Sequence, residues 1–270
     1  MLTHNPAILL LSFLFACSLT SPPVSVEIKD ASVEGARAAI VQLIEFSNKQ
    51  ALQTEPARKL LIGEIAQLNI STFGKITDAP DKVLLLEKNR AVARVQLFGN
   101  NNHVTDVYFY LQYDGSWKIS EVRLLALTGM IEQSYLALQS KQSLNDEEKD
   151  DFANLKLTLA TDKELAVWLA ENRKSLEQLY ELVRAKSGKE QFYIRSEDAK
   201  FPEVTKLLKN LHLTGLSIEP NGNVEMVIGG VMDNVVGFIY SPTNNPPAIN
   251  PSSYIWVEEV AARWYLFRTT

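Results

Sequence analysis

Three side chains on one predicted strand have the types and spacing for acid–base chemistry. Asp106, Tyr108 and Tyr110 occupy alternate positions within the segment HVTDVYFYLQYDG. Successive side chains of a strand point to opposite faces of a sheet, so these three share one face. A carboxylate can accept a proton, and phenols can donate hydrogen bonds that orient a reactant. The alternative is that the tyrosines only pack against neighbouring strands.

Other constellations that carry catalysis or metal binding are missing from the sequence. The three histidines, His4, His103 and His212, have no metal-type partner four residues away. There is no nucleophile elbow, phosphate-binding loop or dinucleotide-binding glycine pattern. We therefore assign no catalytic residue, no metal ligand and no cofactor, and we do not expect an enzyme.

The cysteine content points to the N-terminal segment. Cys17 is the only cysteine of the 270 residues, and it follows an apolar run, residues 7–16, interrupted only by Ser12. A run of this length is too short to span a bilayer, which needs about 20 apolar residues, but it suits the core of a signal peptide. Small residues around Cys17 allow cleavage after Ser18, and we expect residues 1–18 to be a signal peptide.

The four residues LFAC, Leu14 to Cys17, resemble the lipobox of bacterial lipoproteins. This resemblance implies that a lipid is attached at Cys17 and that residues 19–31 form a short tether. Two alternatives stay open at this stage: a lipid-anchored protein, and a protein that is periplasmic or secreted.

Composition restricts the class of partner. The net charge is −5, and lysines and arginines are scattered along the chain. Nucleic-acid binding needs a basic face, and so does a polybasic contact with a membrane surface. We therefore expect no nucleic acid, a membrane contact only through the lipid anchor, and another envelope protein or envelope component as partner.

The order of predicted elements indicates an α+β protein with two domains. Residues 32–142 read as helices followed by an antiparallel meander, and residues 143–270 repeat that order. Helix starts are predicted at the capping residues Ser32, Asn145 and Thr161, and the helix after Ser32 has an apolar stripe that includes Ile40 and Leu43. Apolar and polar side chains alternate in 90–99 and 103–115, as in a sheet with one buried face. We predict a second helix in the first domain, beginning at Pro56 and continuing through Leu68, because apolar residues recur at helical spacing.

The first domain resembles the NTF2-like (cystatin-like α+β) families over roughly residues 30–127. The resemblance lies in the hairpin YDGSWKISEVRLL, in which Asp114, Gly115, Trp117 and Lys118-Ile119 match the family's final hairpin. It implies a cone-shaped pocket, lined here by Asp106, Tyr108 and Tyr110 with Asp106 as a base. The alternative function is therefore a pocket that binds or converts a small molecule.

A binding surface is expected near the C-terminus. The segment 241–254 is polar and rich in proline, which lowers the entropy lost on binding. Aromatic residues crowd the last two predicted strands, where one face would expose them; if a helix covers that face, they belong to the core instead. We expect Asn244, Asn245, Tyr254 and Trp256 to form the surface. The sequence thus favours a non-catalytic exported binding or scaffold module, and it leaves the oligomeric state open.

Overall fold

The computed structural model describes residues 31–77, 79–99, 104–125, 127–184 and 192–270. The first half, residues 32–123, contains α1 (Val33–Asn48), α2 (Glu55–Arg58), a 3₁₀ helix (Gly63–Gln67), β1 (Lys75–Ile76), β2 (Lys82–Glu87), β3 (Arg90–Phe98), β4 (Val104–Tyr113) and β5 (Trp117–Arg123). The second half, residues 125–270, contains α3 (Thr128–Gln139), α4 (Asp146–Thr158), α5 (Asp162–Arg184), β6 (Phe192–Arg195), α6 (Pro202–Asn210), β7 (Gly215–Ile218), β8 (Val224–Val231), β9 (Asn234–Tyr240), β10 (Tyr254–Ala261) and β11 (Trp264–Thr269). Helices and antiparallel sheets confirm the α+β class.

Helix α1 covers one face of the first sheet. Ser32 caps it, since its Oγ accepts a hydrogen bond from the Gly35 amide at 3.1 Å. The predicted apolar stripe, which includes Ile40 and Leu43, is fully buried. Strands β2 to β5 form an antiparallel meander, and β1 pairs with the far end of β3. Val107 and Phe109 of β4 face α1, whereas Asp106, Tyr108 and Tyr110 point to the opposite face.

The predicted second helix begins where expected, with Pro56 in its first turn, but its predicted extent to Leu68 is wrong. The chain forms α2 over only four residues, and a 3₁₀ helix follows at Gly63–Gln67. Gly63 has φ +66°, a left-handed conformation that interrupts a right-handed helix. The interruption lets residues 60–62 run beside β5, where the Ile62 amide donates to the Ile119 carbonyl at 2.9 Å. Apolar spacing alone did not reveal this break.

Two helix starts in the second half follow their sequence signals. Asn145 and Glu148 form a reciprocal capping box at the start of α4. At the start of α5, the Thr161 amide donates to the Glu164 carboxylate at 2.7 Å. Helix α3 packs with α4 through the stacked rings of Tyr135 and Phe152. The core of the second half also includes Ile131 of α3, so packing places this helix with the second half.

The second sheet has the order β10-β11-β9-β8-β7-β6, with antiparallel neighbours throughout. Helix α4 lies very close to β8, because Gly229 offers no side chain: a Cβ there would lie 2.3 Å from Thr158 Oγ1. The register of β8 shifts between Val227 and Gly229, as a β-bulge requires. The side-chain amide of Asn154 donates to the Ile228 carbonyl at 2.6 Å and fixes the same contact.

The segment between β9 and β10 crosses the second sheet. Tyr240 at the end of β9 pairs with Trp264, whereas Tyr254 at the start of β10 pairs with Thr269, at the other end of β11. The connection must therefore run the length of β11. Ile249 within it packs against the buried cluster that contains Tyr265 and Phe267. This crossover covers the sheet face opposite the helices.

Among the residues that the structure describes, no helix has the length and apolar character needed to cross a membrane.

Candidate functional site at the junction of the two halves

The outward face of the first sheet is covered by the second half. The rings of Tyr108 and Trp256 stack with centroids 4.9 Å apart and planes inclined at 27°. The hydroxyl of Tyr110 donates to the Ile255 carbonyl at 2.8 Å. Val92 of β3 completes this buried cluster between the halves. In β3 and β4 the first sheet is therefore buried on both faces, and the prediction of a single buried face is wrong.

Asp162, the first residue of α5, lies at the centre of a buried polar network. Its Oδ2 accepts hydrogen bonds from the Tyr108 hydroxyl at 2.8 Å and from Arg94 Nη1 at 3.0 Å. Its Oδ1 accepts from Arg268 Nε at 2.8 Å. The carboxylate thus links β3 and β4 of the first half with β11 and α5 of the second.

Arg94 connects Asp162 to two further carboxylates, those of Asp81 and Glu258. Its guanidinium holds Asp81 through two bonds of 3.0 Å each, and Nη1 also donates to Glu258 at 2.6 Å. The guanidinium carbon lies 5.3 Å from the centre of the Trp256 ring, within range of a cation–π contact. This side chain is almost completely buried, so its charge depends on these partners.

The charges in the network balance. Four carboxylates face four cationic side chains: Asp81, Asp106, Asp162 and Glu258 against Arg94, Arg268, Lys82 and Lys163. Buried ions cost desolvation energy, and removing one member leaves its partners uncompensated. We expect this network to specify how the two halves fit together.

Asp106 acts as an acceptor for the start of α5. Its Oδ2 accepts a hydrogen bond of 2.6 Å from the Asp162 amide, one of the donors that a helix leaves unpaired at its N-terminus. Burial raises the pKa of Asp106 to about 6, and the negative charge of Asp162 adds to that rise, while Arg268 and Arg94 oppose it. The carboxylate is therefore less stable as an anion in the folded protein than in water.

We expect Asp106→Asn to gain stability relative to wild type as the pH rises. Because the folded pKa lies above the unfolded value, the folded state of wild type binds the extra proton. Protonated Asp106 therefore stabilises folded wild type below about pH 4, and this contribution is lost as the pH rises through about 6. Asparagine keeps an acceptor for the Asp162 amide but does not titrate.

Urea unfolding between pH 4 and pH 7 checks this prediction. The difference in unfolding free energy, variant minus wild type, should rise by about 2–3 kcal/mol across that range. The comparison removes the contribution of groups that titrate in both proteins. A difference that stays constant with pH would show that Asp106 does not titrate as a buried carboxyl.

A large cleft lies beside the network, where the end of the first sheet meets helices α3, α4 and α5. Its volume is ≈ 810 Å³, within the range of about 300–1,000 Å³ that is usual for ligand sites. We call it the junction cleft and define it by these lining residues: Gln96, Val104, Tyr135, Lys156, Lys163 and Trp168. Both halves contribute to its walls.

Two aromatic side chains in the walls are held in place from behind. Trp168 stacks on Phe238 with centroids 5.6 Å apart and planes inclined at 4°. Tyr135 stacks on Phe152 at 4.8 Å and 11°. Each ring has one face fixed against another ring while it lines the cleft. These walls therefore need little ordering when a ligand binds.

The structure brings the three predicted pocket residues together, but they are buried where the first sheet contacts the second half. Asp106, Tyr108 and Tyr110 are 4%, 0% and 3% exposed. They lie on the sheet face opposite α1 and contact the second half. A role for Asp106 as a base stays a prediction, and its surroundings are those of a helix-capping carboxylate.

The predicted binding surface is divided by the structure. The expectation that the aromatic residues of the last strands are exposed is wrong, since Trp256, Trp264 and Phe267 are at most 1% exposed. Tyr254 is half-buried, and its hydroxyl donates to Glu225. Only Asn244 and Asn245, of the four residues predicted for that surface, are exposed.

The exposed asparagines are fixed by neighbours. Asn244 Oδ1 accepts from the Tyr265 hydroxyl at 2.6 Å, and the Asn245 amide donates to Ser241 Oγ at 2.8 Å. The Asn245 carbonyl accepts from the Asn223 side chain at 3.0 Å. Binding at this turn stays a prediction. Cys17, with the whole predicted leader and tether to residue 30, lies outside the described residues.

Sequence reasoning missed the charged residues of the junction. Arg94, Asp162 and Arg268 were not singled out, although Arg94 stands between the apolar residues Ala93 and Val95 within β3. A second signal was present in β4, where Tyr108 and Tyr110 make the face opposite Phe109 apolar as well. Large apolar residues on both faces indicate a sheet that is covered on both sides.

Comparisons with known proteins identify no relative of this chain: no family model, no curated protein and no solved structure matches it. No group of histidine, cysteine, aspartate and glutamate in the described part of the chain is arranged to hold a metal ion.

Proposed function

We propose that this chain is a non-catalytic binding module that is exported to the cell envelope, and that it binds another envelope component in the junction cleft. The observation that carries the proposal is the cleft itself, ≈ 810 Å³ in volume and walled by both halves. A concave site with apolar walls and a few polar groups is the usual form of a ligand site.

The state of the nearby carboxylates supports binding rather than catalysis. Asp162 accepts bonds from Tyr108, Arg94 and Arg268, and it is 1% exposed. Asp106 accepts a hydrogen bond from the Asp162 amide at the start of α5. A general base must come within hydrogen-bond reach of a substrate proton, and these buried side chains already have partners inside the protein.

Export and anchoring rest on the leader. The apolar run before Cys17 has the length of a signal-peptide core, and LFAC resembles a lipobox. Intact-mass measurement and detergent extraction of the mature protein from its native host test this part. We expect a diacylated N-terminal Cys17 in the detergent phase. A soluble protein that begins after Ser18 would contradict the anchor.

Blocking the cleft tests the binding role. A photoreactive residue replaces Leu159, a partly buried residue at the cleft wall, in the full-length chain in its native host. Ala153→Trp then fills part of the cleft from α4. The matched control is Ala170→Trp, which adds the same bulk to an exposed position of α5.

The two tryptophan variants should behave differently after irradiation. We expect a discrete adduct in the photoreactive protein without a further substitution and in the same protein with Ala170→Trp. Ala153→Trp should give at least about tenfold less adduct, because the indole and the ligand compete for the same volume of the cleft. Equal thermal stability of the two variants shows that both fold. Equal adduct yields in the two variants would contradict the proposed site.

A further inference from the structure

The polar groups in the junction cleft restrict the charge of its ligand. Of the charged side chains in its walls, Lys163 pairs with Asp81 at 3.2 Å, and the Glu164 carboxylate accepts bonds from the amide and hydroxyl of Thr161. Lys156 is exposed and forms no ion pair within the described residues. The cleft therefore offers little net charge to a ligand.

The unengaged groups are donors and acceptors of mixed type. The side-chain amide of Gln96 can both donate and accept, and within the described residues it makes no hydrogen bond. Lys156 can donate three bonds. His212 also lines the cleft, but its Nδ1 is buried and lies 4.0 Å from Asp150 Oδ1, so the open donors and acceptors are those of Gln96 and Lys156. Hydroxyl groups, which donate and accept at the same atom, match this set.

The aromatic walls require a ligand with an apolar face. Tyr135 and Trp168 are each held on one side by another ring, as described above. The face of an aromatic ring carries partial negative charge and attracts the weakly positive hydrogens of C–H groups. A sugar ring has a face of C–H groups and a rim of hydroxyls. It can therefore pack on the aromatic rings and form hydrogen bonds with the polar side chains of the cleft.

We infer that the junction cleft binds a saccharide, with a sugar face packed on Tyr135, a part of the sugar covering Trp168, and hydroxyls bonded to Gln96 and Lys156. This inference rests on the proposed function and specifies its ligand class. Among the described wall residues, a strongly charged ligand would find one lysine, Lys156, and one glutamate, Glu164, of opposite charge and without an ion-pair partner. A neutral saccharide instead uses the groups that are free to form hydrogen bonds.

The protein carries its own reporter for this binding. It has four tryptophans, and Trp117, Trp256 and Trp264 are at most 1% exposed. Trp168 is only partly buried and lines the cleft. Acrylamide quenching of tryptophan fluorescence therefore reports mainly on Trp168, and Trp168→Phe should remove the quenchable signal.

The test titrates the mature protein with maltotriose, cellotriose and chitotriose while quenching is followed. We expect at least one trisaccharide to protect Trp168. Tyr135→Ala should weaken that binding at least about tenfold, whereas Tyr135→Phe should retain it. Tyr193→Ala, which removes an exposed tyrosine from β6, is the matched control and should bind as wild type does.

Two results would overturn the inference. One is the absence of protection by all three sugars at about 10 mM. The other is equal weakening by Tyr135→Ala and Tyr193→Ala, which would make the effect nonspecific. If either result occurs while Ala153→Trp still abolishes the adduct in cells, the cleft binds a ligand of another class. If Ala153→Trp has no effect, the proposed function fails as well.

Discussion

Asp162→Asn is expected to destabilise the protein by about 3–5 kcal/mol at pH 7. The side chain is 1% exposed and accepts bonds from two arginines and one tyrosine. Asparagine has almost the same shape, but it replaces one acceptor oxygen by an amide donor and removes the charge. Arg94 and Arg268 would then be buried with one carboxylate fewer to compensate them.

Urea unfolding followed by circular dichroism measures this loss. Asp151→Asn is the matched control, because it makes the same chemical change at an exposed position of α4 and should alter stability by no more than about 0.5 kcal/mol. If Asp162→Asn costs less than about 1 kcal/mol, the buried network does not contribute to stability in the way that its geometry requires.

Trp256→Ala is expected to cost a similar amount, about 3–5 kcal/mol. The indole is completely buried, stacks on Tyr108 and lies beneath the Arg94 guanidinium. Its Nε1–H donates to Glu258 at 3.1 Å. Truncation removes the ring stacking between the two sheets and leaves a cavity that neighbouring side chains cannot fill completely.

The size of this loss in stability shows whether Trp256 belongs to the core or to an exposed binding surface. Trp256→Phe should recover part of the stability, because it restores the ring but not the hydrogen bond to Glu258. Tyr193→Ala, at a side chain 50% exposed on the same sheet, is the control for loss of a surface aromatic ring. A loss within about 0.5 kcal/mol for Trp256→Ala would place the indole at the surface, as the sequence had suggested.

Local signals predicted much of the fold. The capping residues Ser32, Asn145 and Thr161 mark helix starts that the structure contains, because a cap acts on amides only a few residues away. Alternation in β3 and β4 predicted which side chains share a face for a similar reason, but it did not predict that both faces are buried. The proposed second helix failed at Gly63, where one backbone angle outweighed the apolar spacing.

The junction could not be predicted in the same way. Arg94 and Asp162 are 68 residues apart in sequence, and Arg94 and Glu258 are 164 apart. A single sequence states which residues carry charge but does not state which of them meet. The face that carries Tyr108 and Tyr110 was therefore expected to line a pocket. In the tertiary structure this face packs against β10 and the start of α5.

The junction cleft can serve as a binding site only if the two halves form one cooperative unit that fixes its walls. Hydrogen exchange followed by mass spectrometry, at several low urea concentrations, measures this directly. We expect the amides of α1 in the first half and of β9 in the second to exchange with the same opening free energy. Asp162→Asn should lower both by the same amount. If α1 stays protected at urea concentrations where β9 exchanges freely, the halves unfold separately, and the claim of a fixed junction is contradicted.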